Sequence, residues 1–184
     1  MANPLVAPLE SLFWPKGFAR DMWAIVDGAR DRSIYSSLVN SYLKYTCLYA
    51  GQLPPALERA APYLVQLDFE ELYTRRLIEG AWGNNWGIFL RCDEDDDRLR
   101  RHLRQFLRVQ DKQGRRFVFR YYDPRVMRVY LPTCNSEELR TVFGPIKSFY
   151  MEDVDSATAL EYSREGSRLA TERISLAAPG SALV

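Results

Sequence analysis

The segment Tyr63–Cys92, YLVQLDFEELYTRRLIEGAWGNNWGIFLRC, holds two short apolar runs separated by a helical stretch. YLVQLD (63–68) and WGIFLRC (86–92) are each too short for a buried helix and read as buried strands. FEELYTRRLIEGA (69–81) between them reads as helical, with Leu72, Leu77 and Ile78 among its apolar positions. Glycines and asparagines at 80–87 supply the turn into the second strand.

The same alternation continues in both directions. Upstream, WAIVDGA (23–29) reads as a strand closed by Asp-Gly, SIYSSLVNSY (33–42) as a helix and YTCLYA (45–50) as a second strand. PPALERAA (54–61) carries its prolines where a helix start tolerates them. Downstream, Leu99, Leu103, Phe106 and Leu107 make one apolar helix face. Glu94–Asp97 at its start and Arg104 and Arg108 near its end match the helix dipole, and Asp96/Arg100 and Asp97/Arg101 are spaced to pair. This order predicts an α/β fold with a mixed, partly parallel sheet flanked by helices. The expected organisation is an irregular N-terminal arm at 1–20, a main domain at 21–153, and a short C-terminal appendage with a loose tail at 154–184.

RFVFRYYDPRVMRVYLP (116–132) changes the pattern. Residues 108–123 read as a hairpin turning near Gly114. Asp123 is placed to cap a helix that starts at Pro124 and stops at Pro132. Arg120 and Arg125 are expected to pair with Asp123 or cap carbonyls. Strand alternation would send Tyr121 and Tyr122 to opposite faces, one into the core and one outward to a partner. Asn135 and Glu138 have capping-box spacing before a helix that Gly144-Pro145 ends. IKSFYMED (146–153) reads as the last core strand.

Composition narrows the function. Of 184 residues, 47% are apolar, so the chain buries a core, and the net charge of +1 provides no global field for nucleic acid or an anionic membrane. The N-terminus lacks the basic start and apolar run of a secretory signal, and no stretch is long enough to span a bilayer. Cys47, Cys92 and Cys134 lack C-x-x-C spacing and read as reduced thiols. The expected location is cytoplasmic, with no cofactor and no bound metal.

Two chemical alternatives compete with a binding role. Asp27, Asp68 and Asp93 lie at predicted strand ends, where clustered carboxylates would hold Mg²⁺ for phosphoryl transfer; helix capping explains them more simply. The Arg98–Arg108 helix would suit nucleic acid, but Glu94–Asp97 in the same helix offset its charge. GAWGNNWG (80–87) matches no phosphate loop and follows a helix instead of preceding one, so Trp82 and Trp86 read as packing anchors at a turn. His102, the sole histidine, is expected at the helix margin or in solvent, without a nucleophile to serve.

Several of these stretches together resemble the type VI secretion effector adaptors, also called effector chaperones. The resemblance rests on WAIVDGAR, YLVQLD, Trp82-Gly83-Asn84-Asn85-Trp86-Gly87, Phe119-Arg120-Tyr121-Tyr122-Asp123-Pro124-Arg125, Leu131-Pro132 and Phe143-Gly144-Pro145, in order over about 22–153. It implies a non-enzymatic protein that holds a toxic effector in the bacterial cytoplasm and loads it onto the VgrG spike, in some cases with a PAAR-type tip protein. Many relatives carry a variable C-terminal lobe for cargo. Here the cargo region is expected to be small or to lie on the common domain. Trp82, Trp86, Arg120, Tyr121, Tyr122, Asp123 and Arg125 are the candidate partner-binding or structural residues.

Overall fold

The computed structural model describes residues 3–15, 17, 21–110 and 113–177. Nine strands and seven α-helices lie along them, alternating from Val6 to Arg104. The strands are β1 Met22–Asp27, β2 Tyr45–Cys47, β3 Pro62–Gln66, β4 Gly87–Arg91, β5 Arg108–Gln110, β6 Arg116–Val118, β7 Ser148–Glu152, β8 Thr158–Glu165 and β9 Arg168–Ser175. The helices are α1 Val6–Phe13, α2 Arg32–Val39, α3 Pro55–Arg59, α4 Leu72–Ala81, α5 Asp96–Arg104, α6 Pro124–Tyr130 and α7 Ser136–Phe143. Seven strands form one open sheet in the order β2-β3-β1-β4-β7-β8-β9; β5 and β6 form a separate hairpin.

Helices cover both faces of the sheet. In β1, Met22, Ala24 and Val26 face a core that includes Leu9 and Phe13 of α1, Ile34 and Leu38 of α2, and Leu77 and Ile78 of α4. Trp23 and Ile25 face the opposite core, with Leu99 and Leu103 of α5, Met127 of α6, and Leu139, Val142 and Phe143 of α7. Every residue of β1 is therefore buried, which is why these strands read as continuous apolar runs.

The α/β architecture with a helix-flanked sheet is as expected, but the partly parallel pairing is not: all six neighbouring pairs in the large sheet are antiparallel. The α4 crossover does join two strands running the same way, β3 and β4, but β1 lies between them in the opposite direction. Helix-separated strands with two buried faces look alike in sequence whether their spatial neighbours run parallel or not.

Both ends of the chain are also more regular than expected. Val6–Phe13, read as part of an irregular arm, is a helix burying Val6, Leu9 and Phe13. The appendage stretch contains the β8–β9 hairpin, which extends the main sheet past β7. Residues 178–184, the end of the stretch 154–184 read as an appendage with a loose tail, lie outside the described residues.

Local signals hold at their predicted places. Asn135 Oδ1 accepts from the amides of Glu137 and Glu138, both at 2.9 Å, while the Glu138 carboxylate accepts from Asn135 N at 2.8 Å, completing the capping box. The β5–β6 hairpin brackets Gly114.

Gly87 carries a steric requirement at the start of β4. A Cβ there would lie 1.9 Å from the carbonyl oxygen of Ile25, backbone that cannot rotate away. Gly87→Ala should therefore destabilise the chain by at least about 3 kcal/mol, at or beyond the upper end of ordinary overpacking. Urea unfolding checks this; a near-wild-type midpoint would contradict the β1–β4 register.

Candidate functional site

Three carboxylates are buried among the described residues: Asp27 (2% exposed), Asp123 (5%) and Glu152 (4%). All three gather at one end of the sheet. Asp27 ends β1, Gly87 begins the adjacent β4, and Glu152 ends β7 beside it. Burial of a carboxylate is costly unless cations or hydrogen-bond donors replace its water, and each of the three has such partners.

Asp27 accepts from the Ala29 amide at 3.1 Å and pairs with the Arg120 guanidinium. Asp123 caps α6, its Oδ1 accepting from Arg125 N at 3.0 Å. The same carboxylate takes a bidentate pair from Arg125, Nε at 3.0 Å and Nη2 at 2.6 Å. Burial pushes the Asp123 carboxyl up, but the Arg125 hydrogen bonds and charge outweigh it, and the carboxyl sits below its ordinary 3.8.

Glu152 closes the Trp82–Gly87 turn. Its carboxylate accepts from the amides of Gly83 and, at 2.8 Å, Asn85. Both residues have positive φ, +84° and +53°, which turns their N–H groups inward; glycine and asparagine are the types that adopt this region readily. Burial raises the Glu152 carboxyl above its ordinary value, against the pull of the two amides and Arg128. Arg128 Nη1 donates to the Glu152 carbonyl at 2.5 Å, and Arg30 Nε donates to Asn85 O at 3.2 Å.

The two motifs singled out in sequence thus meet here. Trp82 is buried, its indole N–H donating to Ser156 O at 2.7 Å, and the Trp86 ring packs so closely on Gly80 that a Cβ there would lie 2.8 Å away. Both are packing anchors, as read. Arg125 pairs with Asp123 as expected; Arg120 does not, and reaches Asp27 instead. The opposite-face expectation for Tyr121 and Tyr122 fails. Strand β6 ends at Val118, the two tyrosines lie in the turn that follows, and both are buried in one core with rings 5.5 Å apart. The Tyr121 hydroxyl donates to Leu103 O at 3.0 Å, and burial raises both phenols.

Glu152, Arg30 and Arg128 escaped sequence reasoning. Glu152 lies 69 and 67 residues from its amide partners, and only the register β4–β7 brings them together. The signal available was an acid, Glu152, directly after the large apolar residues Phe149, Tyr150 and Met151 of a strand, SFYME.

Antiparallel pairing also separates the carboxylates considered for Mg²⁺. Asp27 is at one end of β1, whereas Asp68 and Asp93 follow β3 and β4 at the other. Asp68 accepts from the Glu70 amide at 3.1 Å, and Asp93 pairs with Lys147. Among the described residues, no three His, Cys, Asp or Glu side chains are grouped to hold a metal ion.

On α5, Arg98 pairs with Glu94 at 2.7 Å and Arg100 with Asp97 at 2.9 Å, while Arg101 Nε donates to the Asp97 carbonyl at 3.2 Å. Asp96 pairs with Lys44 at 2.8 Å. The partners differ from the predicted i,i+4 pairs, and of the five arginines between 98 and 108 two, Arg98 and Arg100, are paired with carboxylates among the described residues. His102 is half-buried, not solvent-facing; its Nε2 donates to Val142 O at 2.9 Å, and burial lowers its pKa. The cysteines are free thiols, and burial raises all three. No helix among the described residues is long and apolar enough to cross a membrane.

A family model described as a domain of unknown function (DUF4123) matches residues 22–141, from the first residue of β1 into α7. The chain belongs to that family. No curated protein and no solved structure matches it.

Asp123 has a pH signature. Its folded carboxyl titrates below its unfolded value, so it contributes stability that is present above about pH 4 and lost as pH falls through the depressed pKa. Asp123→Asn keeps a capping side chain but should lose this part of the acid limb, whereas Asp123→Ala should also lose the cap, costing about 1–2 kcal/mol at neutral pH. Thermal unfolding between pH 2 and 7, roughly the window in which carboxylates titrate, measures both; identical acid limbs in wild type and Asp123→Asn would contradict the assignment.

Proposed function

We propose that the chain is a non-enzymatic adaptor that binds a type VI secretion effector in the cytoplasm and loads it onto the VgrG spike, with a PAAR-type tip protein as a further partner. The observation that carries this reading is the family match over 22–141, which spans most of the ordered motifs that resemble the effector adaptors. The geometry supports it from another side. The motif residues Arg120, Asp123, Arg125 and Trp82 are engaged with other groups of the same chain, so the motif builds a rigid scaffold. Apolar side chains meanwhile lie exposed outside it, among them Tyr42, Leu57, Phe117, Val118 and Val129. Exposed aromatic and aliphatic side chains on a rigid support suit protein partners.

The test is co-expression of the tagged chain with the VgrG protein and an effector of the same strain. The chain should co-purify with both. Deleting its gene should stop secretion of that effector while the secretion apparatus still fires. Undiminished effector secretion in the deletion strain, together with no complex in vitro, would overturn the reading.

A further inference from the structure

Between the segment that follows β2, helix α3 and the β5–β6 hairpin lies a cleft of about 450 Å³. Its walls are mostly apolar. Leu48 and Leu107 are buried beneath it, and Leu57 (44% exposed) and Val118 (56%) stand at its rim. The hairpin that forms one wall pairs only with itself; the cross-strand partners Arg108 and Val118 line the cleft, while the next pair, Val109 and Phe117, is exposed but does not line it.

The cleft also carries fixed positive charge. Arg104 lines it, with Nε donating to Leu48 O at 2.9 Å and Nη2 donating to Tyr49 O at 2.8 Å and Cys47 O at 3.2 Å. These three carbonyls use the Nε and Nη2 hydrogens. The Nη1 group has no acceptor among the described residues. Arg108 lines the cleft as well. Among the arginines from 98 to 108, Arg98 and Arg100 have carboxylate partners and Arg101 donates to the Asp97 carbonyl, whereas Arg104 at the end of α5 and Arg108 at the start of β5, which both line the cleft, have no carboxylate partner among the described residues. A guanidinium held by neutral carbonyls keeps its full charge and its orientation. An apolar cleft with an oriented, carboxylate-free guanidinium is complementary to an apolar segment that carries an acid.

We propose that this cleft is a docking site for the effector, and that it takes an apolar segment of the effector in which an aspartate or glutamate lies next to the buried side chains and is read by Arg104 Nη1 and Arg108. This inference rests on the adaptor reading for the identity of its occupant. The apolar side chains supply affinity in the cleft, and the acid fixes register and excludes basic segments.

The test has two arms, both with the full chain. In the first, a displayed library of random peptides of about twelve residues is selected on the wild-type protein. Recovered peptides should place Asp or Glu within a few residues of Leu, Ile or Phe. Their affinity should fall about tenfold or more on Leu57→Asp, Val118→Asp or Arg108→Glu, and on replacing the peptide's acid with its amide. All three variants are at exposed side chains and should keep wild-type melting curves. Leu57→Ala and Val118→Ala serve in place of any aspartate variant that does not. Peptides without acids, or peptides that bind the variants as well as wild type, would overturn the proposal, as would self-association of the wild type that Leu57→Asp abolishes. In the second arm, the variants are co-expressed with the effector and VgrG. The expected result is loss of effector with VgrG capture unchanged. Effector capture equal to wild type in all three variants sinks the cleft and leaves the adaptor reading intact. Failure of the wild type to capture either protein sinks the adaptor reading, and the peptide arm still decides the chemistry of the cleft.

Discussion

A carboxylate removed from water persists in a fold only where cations or several N–H groups replace its hydration. The pair between Asp27 and Arg120 meets that requirement at the end of the central strand, and much of the architecture is organised around it. Asp27 belongs to β1, whose every residue is buried between two helical layers. Arg120 belongs to the connection between the outlying hairpin and α6. The pair thus fastens the hairpin side of the molecule to the middle of the sheet across 93 residues of sequence. Asp123 and Glu152 extend the same arrangement, one by starting α6 and pairing with Arg125, the other by drawing in the amides of the Trp82–Gly87 turn. Truncating one partner of such a pair leaves an uncompensated charge, so the residues of the motif are interdependent.

This arrangement accounts for the division between interior and exterior in the functional reading. The centre of the conspicuous motif, Tyr121-Tyr122-Asp123-Pro124, faces inward, while Arg120 and Arg125 at its ends are exposed side chains that reach in to buried carboxylates. Its tyrosines are core residues, its aspartate is a cap, and its arginines are counter-ions. What it positions is the β5–β6 hairpin immediately before it, through Phe119 N donating to Leu107 O at 3.1 Å and the buried Tyr121 hydroxyl bonding to Leu103. The hairpin carries exposed apolar side chains and walls the cleft that Arg104 lines. A rigid interior that presents a separate apolar surface is the division of labour expected of a protein whose function is to hold others.

How much of this was legible in sequence depended on the distance over which each interaction acts. The Asp123 cap, the Asn135–Glu138 box and the Arg125–Asp123 pair each lie within three residues, and local spacing revealed them. The Arg120–Asp27 and Glu152–Gly83 contacts span 93 and 69 residues, so they required the strand order, which buried apolar runs do not encode. The antiparallel pairing was missed for the same reason, since helices on both faces of a sheet erase the inward/outward alternation that usually marks antiparallel strands. β9 was missed for the opposite reason. As an edge strand it is largely exposed, and RLATERIS shows too little alternation to register. Tyr121 and Tyr122 were misassigned because two residues of turn replaced two residues of strand, and the period-two rule no longer applied.

The most direct measurement of this account is a double-mutant cycle on the Asp27–Arg120 pair, built from Asp27→Asn, Arg120→Gln and the combined variant, with stability read from urea unfolding. The account predicts that the two single losses are strongly non-additive, with a coupling energy of at least about 1 kcal/mol and the double variant close to the less stable single one. Additivity to within about 0.5 kcal/mol would mean that the two side chains act independently, and would contradict the claim that this pair fastens the hairpin side of the molecule to the central strand.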